Sequence, residues 1–112
     1  MKVAIVTGAS RGIGRACAIR LAQDGYTVVV NYAHSDTEAQ KVLDTIRENG
    51  GDGMLYRADV SKVEEVRAMM RDVSKAYGQI DVLVNNAGIV KDEYLLMLTP
   101  ETIHKCMELN LK

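Results

Sequence analysis

Four short runs of apolar and β-branched residues recur along this 112-residue chain, and helical periodicity fills the gaps between them. The runs are Val3 to Val6, Thr27 to Asn31, a weaker one from Met54 to Ala58, and Ile80 to Asn85. Continuous apolar runs of this length suit strands covered on both faces, as in a parallel sheet. Between the first two, Ile13, Cys17 and Leu21 share a helical face with Gly14, Ala18 and Ala22, and Gly25 follows as a stop after Asp24. The next helical segment opens on Ser35 with Glu38 three residues on, a capping-box pattern, and aligns Ala39, Val42, Leu43 and Ile46 before Asn49-Gly50-Gly51. The third repeats that pattern with Ser61 and Glu64, and sets Val63, Val66, Met70, Val73 and Tyr77 on one side before Gly78. The last opens on Thr99-Pro100 and turns Ile103, Met107 and Leu111 inward.

The order β-α-β-α-β-α-β-α predicts an α/β fold: a Rossmann-type doubly wound parallel sheet with right-handed crossovers and strand order 3-2-1-4. The length allows one domain, so residues 1–112 are expected to form part of a single nucleotide-binding unit. In such sheets a ligand binds beyond the carboxyl ends of the strands where the order reverses, here between strands 1 and 4.

The stretch "TGASRGIG", Thr7 to Gly14, falls at that place, after strand 1 and opening helix 1. A glycine without Cβ lets the backbone turn sharply and approach a phosphate, and the amides and dipole of a helix start favour an anion. The glycines Gly8, Gly12 and Gly14 therefore read as a pyrophosphate cradle, with Gly14 also allowing close helix-to-strand packing. Arg15-Ala16 follow Gly14 where a phosphate-transfer P-loop needs Lys-Ser/Thr, which excludes that class. Dinucleotide folds that take NAD carry an acid at the end of strand 2 to accept from the ribose 2′-hydroxyl. Here that strand ends "VVVNYAHS", with no carboxylate until Asp36. Arg11, with Asn31, Tyr32 and His34 beside it, is expected to meet a 2′-phosphate instead, which predicts NADP(H).

Composition narrows the partners. A formal charge of −1 gives no reason to expect a nucleic-acid binder or an acidic-membrane ligand. No apolar run approaches the ~20 residues that span a bilayer, and "MKVAIVTGAS" reads as a first strand rather than a signal peptide, so a cytoplasmic location is expected. Cys17 and Cys106 form no CxxC, and His34 and His104 have no ligand spacing, so no metal site is expected.

A second stretch, Asn85-Asn86-Ala87-Gly88, follows strand 4 directly. Glycine-rich turn plus "NNAG" resembles the short-chain dehydrogenase/reductase family, and "RADV" resembles that family's adenine-contacting segment. Within the family, "TGASRGIGRA", "VNYA" and "LVNNAGIVKDEYLLML" are most similar to reductases of 3-oxoacyl thioesters on acyl-carrier protein. The resemblance covers the whole chain. It implies that Gly8, Ser10, Arg11, Gly12, Ile13 and Gly14 hold the phosphates and adenosine ribose, that Asp59 accepts from the adenine amino group near the Val60 backbone, and that Asn86, Ala87 and Gly88 lie against the ribose and nicotinamide. It implies that Asn85 ties neighbouring strands, and that Asn110 is the asparagine of the family's Asn-Ser-Tyr-Lys tetrad. A small-molecule or carrier-bound acyl substrate and a homo-oligomeric parent enzyme are further implications.

The family's proton donor is a tyrosine with a lysine four residues later. The residues four after Tyr26, Tyr32, Tyr56, Tyr77 and Tyr94 are Val30, Asp36, Val60, Asp81 and Leu98. The expectation is therefore the cofactor half of a reductase, with negligible turnover by itself and with strand 4 exposed as a sticky edge. Two alternatives stay open: a stand-alone NADP(H)-binding module, and a family member acting on another alcohol or ketone.

Overall fold

The computed structural model describes residues 1–86. Seven elements follow in strict alternation: β1 (Lys2–Val6), α1 (Gly12–Gln23), β2 (Tyr26–Tyr32), α2 (Asp36–Glu48), β3 (Gly53–Arg57), α3 (Val63–Tyr77) and β4 (Val82–Val84). The strands form one parallel sheet in the order β3-β2-β1-β4, the expected topology. The expected final helix, with Thr99, Pro100, Ile103, Met107 and Leu111, lies outside the described residues, as do Cys106 and His104.

Successive strand residues point to opposite faces, and both faces are covered. Ala4, Val6, Val28 and Val30 pack against Cys17, Ala18 and Leu21 of α1 and against Ala39, Val42 and Ile46 of α2. Val3, Ile5, Val29 and Leu83 pack on the other face against Val66, Met69 and Val73 of α3. This double coverage is why β1 and β2 read as unbroken apolar runs instead of alternating ones. Asp81 fastens the amino end of the sheet: its backbone N–H donates to the Val3 carbonyl at 2.8 Å, and its Oδ2 accepts from the Val3 N–H at 2.7 Å. That backbone hydrogen bond, with a second from Gln79, holds the Asp81 carboxyl below its ordinary value.

Four local expectations need correction. Ile13 is not part of the buried face of α1. It stands 47% exposed, whereas Gly14, Cys17, Ala18 and Leu21 are buried. The close approach of α1 to the sheet comes one residue later, at Gly14, and turns Ile13 outward. On α3 the fully buried residue is Met69 rather than Met70, which is only partly covered. The two capping boxes also do not form. Ser35 occupies the N-cap of α2 without a side-chain cap, its Oγ being engaged by Arg11. Ser61 precedes the N-cap of α3, Lys62, and bonds Asp59. The residue that reaches back is Glu65, whose Oε1 accepts from the Asp59 N–H at 2.9 Å.

Candidate cofactor site

The turn between β1 and α1 lies at the carboxyl ends of β2, β1 and β4, and side chains from both neighbours of β1 hold it. On the β2 side, Asn31 binds the turn twice: its carbonyl accepts from the Ala9 N–H at 2.9 Å and its Oδ1 accepts from the Gly8 N–H at 3.2 Å. The Asn31 amide group then donates to the carbonyls of Tyr56 and Ala58, each at 3.2 Å. One side chain thus joins the glycine turn to the end of β3. On the β4 side, the Asn86 N–H donates to Thr7 Oγ1 at 2.9 Å and the Asn86 Nδ2 donates to the Gly8 carbonyl at 3.2 Å. Thr7 Oγ1 in turn lies 3.2 Å from Asn85 Oδ1 and donates toward it. Both backbone polar groups of Gly8 are held by asparagine side chains, one on β2 and one just past β4.

The glycines serve different ends. Gly8 and Gly12 both have φ of +60°, a conformation an L side chain resists. Gly14 has an ordinary φ but no room: a Cβ there would stand 2.3 Å from the Gly8 carbonyl oxygen and 2.6 Å from Asn86 Nδ2. Its hydrogen lets α1 press directly on the turn.

What the turn leaves unsatisfied is as informative. The N-cap of α1 is Arg11, which offers no side-chain acceptor, and the first turn of α1 holds no acid. By contrast α2 opens with Asp36 and Glu38, and α3 with Glu64 and Glu65. The first amides of a helix have no intrahelical acceptor, so those of Gly12, Ile13 and Gly14 are open to solvent or to an outside acceptor. Ser10 is only 8% exposed, and its hydroxyl makes no hydrogen bond within the described structure. A buried hydroxyl is ordinarily paired. Together these groups fit a phosphate.

Beside the turn, Arg11 extends to the loop after β2, where its Nη2 donates to Ser35 Oγ at 2.6 Å. Arg57, at the end of β3, donates from Nε to the Ala33 carbonyl at 3.3 Å. Among the described residues neither guanidinium pairs with a carboxylate. Tyr32 is half-buried against the α1–α2 core, and Val60 against the α3 core. Asp59 accepts from the Ser61 hydroxyl at 2.6 Å and the Ser61 N–H at 3.0 Å, which holds its carboxyl below the usual value. It is therefore an ionised acceptor at the rim of the site.

Asn31 is the site residue whose expected role changes. It is 1% exposed and committed to three backbone groups, so its side chain is not offered to a 2′-phosphate. Ser35, Arg57 and Thr7 were not expected at the site. The arginine opening "RADV" carried a usable signal, a cation at a strand end; the threonine and serine carried none beyond position. Ala87, Gly88 and Asn110 lie outside the described residues. Elsewhere, a hydrogen bond to Asp72 pushes the Tyr56 hydroxyl up to about 12, and burial pushes Tyr77 up. Both move away from the acidity a proton donor needs. Among the described residues, no group of His, Cys, Asp or Glu is arranged to hold a metal ion, and no helix is long and apolar enough to cross a membrane.

Comparison with known proteins decides the family. The family model for short chain dehydrogenases matches residues 2–112. The chain belongs to the short-chain dehydrogenase family. It is 45% identical over 111 residues to the 3-oxoacyl-[acyl-carrier-protein] reductase of Staphylococcus aureus, a match covering 99% of this chain and 45% of that protein. The chain thus spans a little under half the length of that curated relative. Among solved structures, a dehydrogenase/reductase from Sinorhizobium meliloti 1021 superposes with a TM-score of 0.75 at 39% identity, over 95% of this chain and 42% of that one. A landomycin C-6 ketoreductase with bound NADP and rabelomycin gives a TM-score of 0.70 at 31% identity, over 98% of this chain and 52% of that one. Short-chain dehydrogenases are oxidoreductases, and the sheet order described above is that of a Rossmann-type fold.

Proposed function

We propose that this chain holds NADP(H) and forms the cofactor-binding part of a cytoplasmic reductase that delivers hydride to the ketone of 3-oxoacyl thioesters. The observation that carries the reading is the start of α1, without a side-chain cap, beside the buried Ser10 hydroxyl, which has no partner among the described residues. Helix-start amides and a hydroxyl in one turn suit a diphosphate. The family and the similarity to a 3-oxoacyl reductase support the reaction class, and the NADP in the landomycin ketoreductase supports the cofactor.

When bound, the cofactor supplies the hydride. The chain's own residues do the holding. Gly12, Ile13 and Gly14 offer amides to the diphosphate, with Ser10 beside them. Arg11, fixed by Ser35, supplies positive charge at the end of β2, where an NAD-selecting fold would carry an acid. Asp59 is the acceptor for an adenine amino group. Ala87 and Gly88 are assigned to the nicotinamide side and Asn110 to a proton relay, on the family's pattern alone. A carrier-bound acyl substrate and a homo-oligomeric parent enzyme belong to the same reading.

Titration of the protein with NADPH and NADH tests the cofactor assignment. NADPH is expected to bind more tightly. In Arg11→Ala, loss of a charge-assisted contact of about 1.5 kcal/mol weakens NADPH by roughly tenfold and leaves NADH nearly unchanged. Equal affinity for the two cofactors contradicts the assignment.

A further inference from the structure

We infer that Arg57 is a second cation that selects a phosphorylated adenosine ribose, working at the same loop that Arg11 reaches. The inference rests on the NADP(H) reading above and adds a specificity residue to it.

Parallel pairing sets Arg57 opposite Tyr32, the last residue of β2. From there its Nε donates to the Ala33 carbonyl, the first peptide unit of the loop. Arg11 meets the same loop two residues later, at Ser35 Oγ. Ala33 and Ser35 are separated by at most about 7 Å of extended chain, so two guanidiniums from different elements reach one short loop. Each spends a single N–H on it. The remaining donors of Arg57 have no partner among the described residues, and its side chain is exposed.

Among the described residues no acid pairs with Arg57. The nearest acid in sequence, Asp59, has its Oδ1 taken up by the Ser61 amide and hydroxyl, and Asp36 sits in the first turn of α2. Neither forms an ion pair with Arg57. A guanidinium fork with free donors at a strand end matches a phosphate better than it matches a neutral hydroxyl. Arg57 should therefore matter for a cofactor with a 2′-phosphate and be nearly indifferent to one without it.

A simple loop anchor would behave differently. Losing an anchor disturbs Ala33 to Ser35 and weakens both cofactors, and lysine, which cannot reproduce the Nε contact, would not rescue it. Losing a phosphate-facing cation weakens NADPH alone, and lysine restores much of the effect.

The experiment is calorimetric titration of the wild-type protein, Arg57→Ala and Arg57→Lys with NADPH and with NADH, each at low and at moderate salt. Arg57→Ala is expected to bind NADPH about tenfold more weakly, with NADH within twofold of wild type and a shallower salt dependence for NADPH. Arg57→Lys is expected to recover most of the NADPH affinity. Unchanged NADPH affinity in Arg57→Ala, or a parallel loss for both cofactors in both variants, overturns the role of Arg57. A wild-type protein that does not prefer NADPH overturns the cofactor reading itself, and the Arg57 assignment with it.

Discussion

Gly14→Ala should destabilise the protein by about 2–3 kcal/mol and impair cofactor binding, although alanine is the better helix former. Two effects of opposite sign compete at this position. Helix propensity favours alanine by about 1 kcal/mol in a helix interior. Against it, the added methyl would stand 2.3 Å from the Gly8 carbonyl oxygen and 2.9 Å from the Gly8 carbonyl carbon. Both are backbone atoms, and Gly8 is held by asparagines on β2 and just past β4, so neither moves cheaply. Inserting a methyl into such a contact costs about 1–3 kcal/mol, sometimes more. The methyl also meets Asn86 Nδ2 at 2.6 Å and must break its bond to the Gly8 carbonyl, leaving a part-buried acceptor unpaired. Relief requires α1 to withdraw from the turn, which displaces the amides of Gly12 and Ile13. Urea denaturation of the variant should show a lower midpoint with an unchanged slope, and NADPH titration a weakened affinity. A gain of stability near 1 kcal/mol, as propensity alone dictates, contradicts this account of the turn.

Asn31→Asp is expected to cost about 2–4 kcal/mol, and not to switch cofactor preference. The substitution mimics an acid at the end of strand 2, the feature of NAD-selecting folds. Yet the Asn31 side chain points into the structure. Aspartate keeps the acceptor for the Gly8 N–H but sets an oxygen against the Tyr56 and Ala58 carbonyls where an amide now donates at 3.2 Å to each. Burial and the facing carbonyls both favour the protonated acid, so the folded-state pKa of the new carboxyl lies above its unfolded value. The folded variant then binds more protons than the unfolded one between those values. Its stability is greatest at low pH and falls as pH rises through the folded pKa. Denaturation at pH 4.5 and at pH 8, with wild type alongside to remove the background, measures the difference. A variant as stable as wild type at both pH values, with NADH now preferred, would show that Asn31 faces the ribose after all.

The architecture was legible because β1, β2 and β4 lie under helices on both sides, which leaves continuous apolar runs in the sequence. The same physics made the turn legible, since glycine at positive φ and glycine against a backbone carbonyl are needs that no other residue meets. Helix starts were less so. A serine followed three residues later by glutamate reads as a capping box, but at Ser35 a guanidinium competes for the hydroxyl, and at Ser61 the neighbouring Asp59 does. Both competitors become neighbours through tertiary contact or turn geometry, which spacing does not encode. The role of Asn31 was hidden for the same reason. Strand alternation places its side chain inward, but its partners at the end of β3 and in the turn are 23 to 27 residues distant in sequence. Arg57 was visible as a residue and not as a neighbour of the loop after β2.

The central claim is that the uncapped start of α1 receives the cofactor's diphosphate. Backbone amide chemical shifts of the isotopically labelled protein, followed during NADPH titration, test it most directly. The largest displacements should fall on Ser10, Gly12, Ile13 and Gly14, with a second group at Ser35. Saturable binding that leaves those amides in place, with displacements gathered elsewhere on the sheet, would contradict the claim.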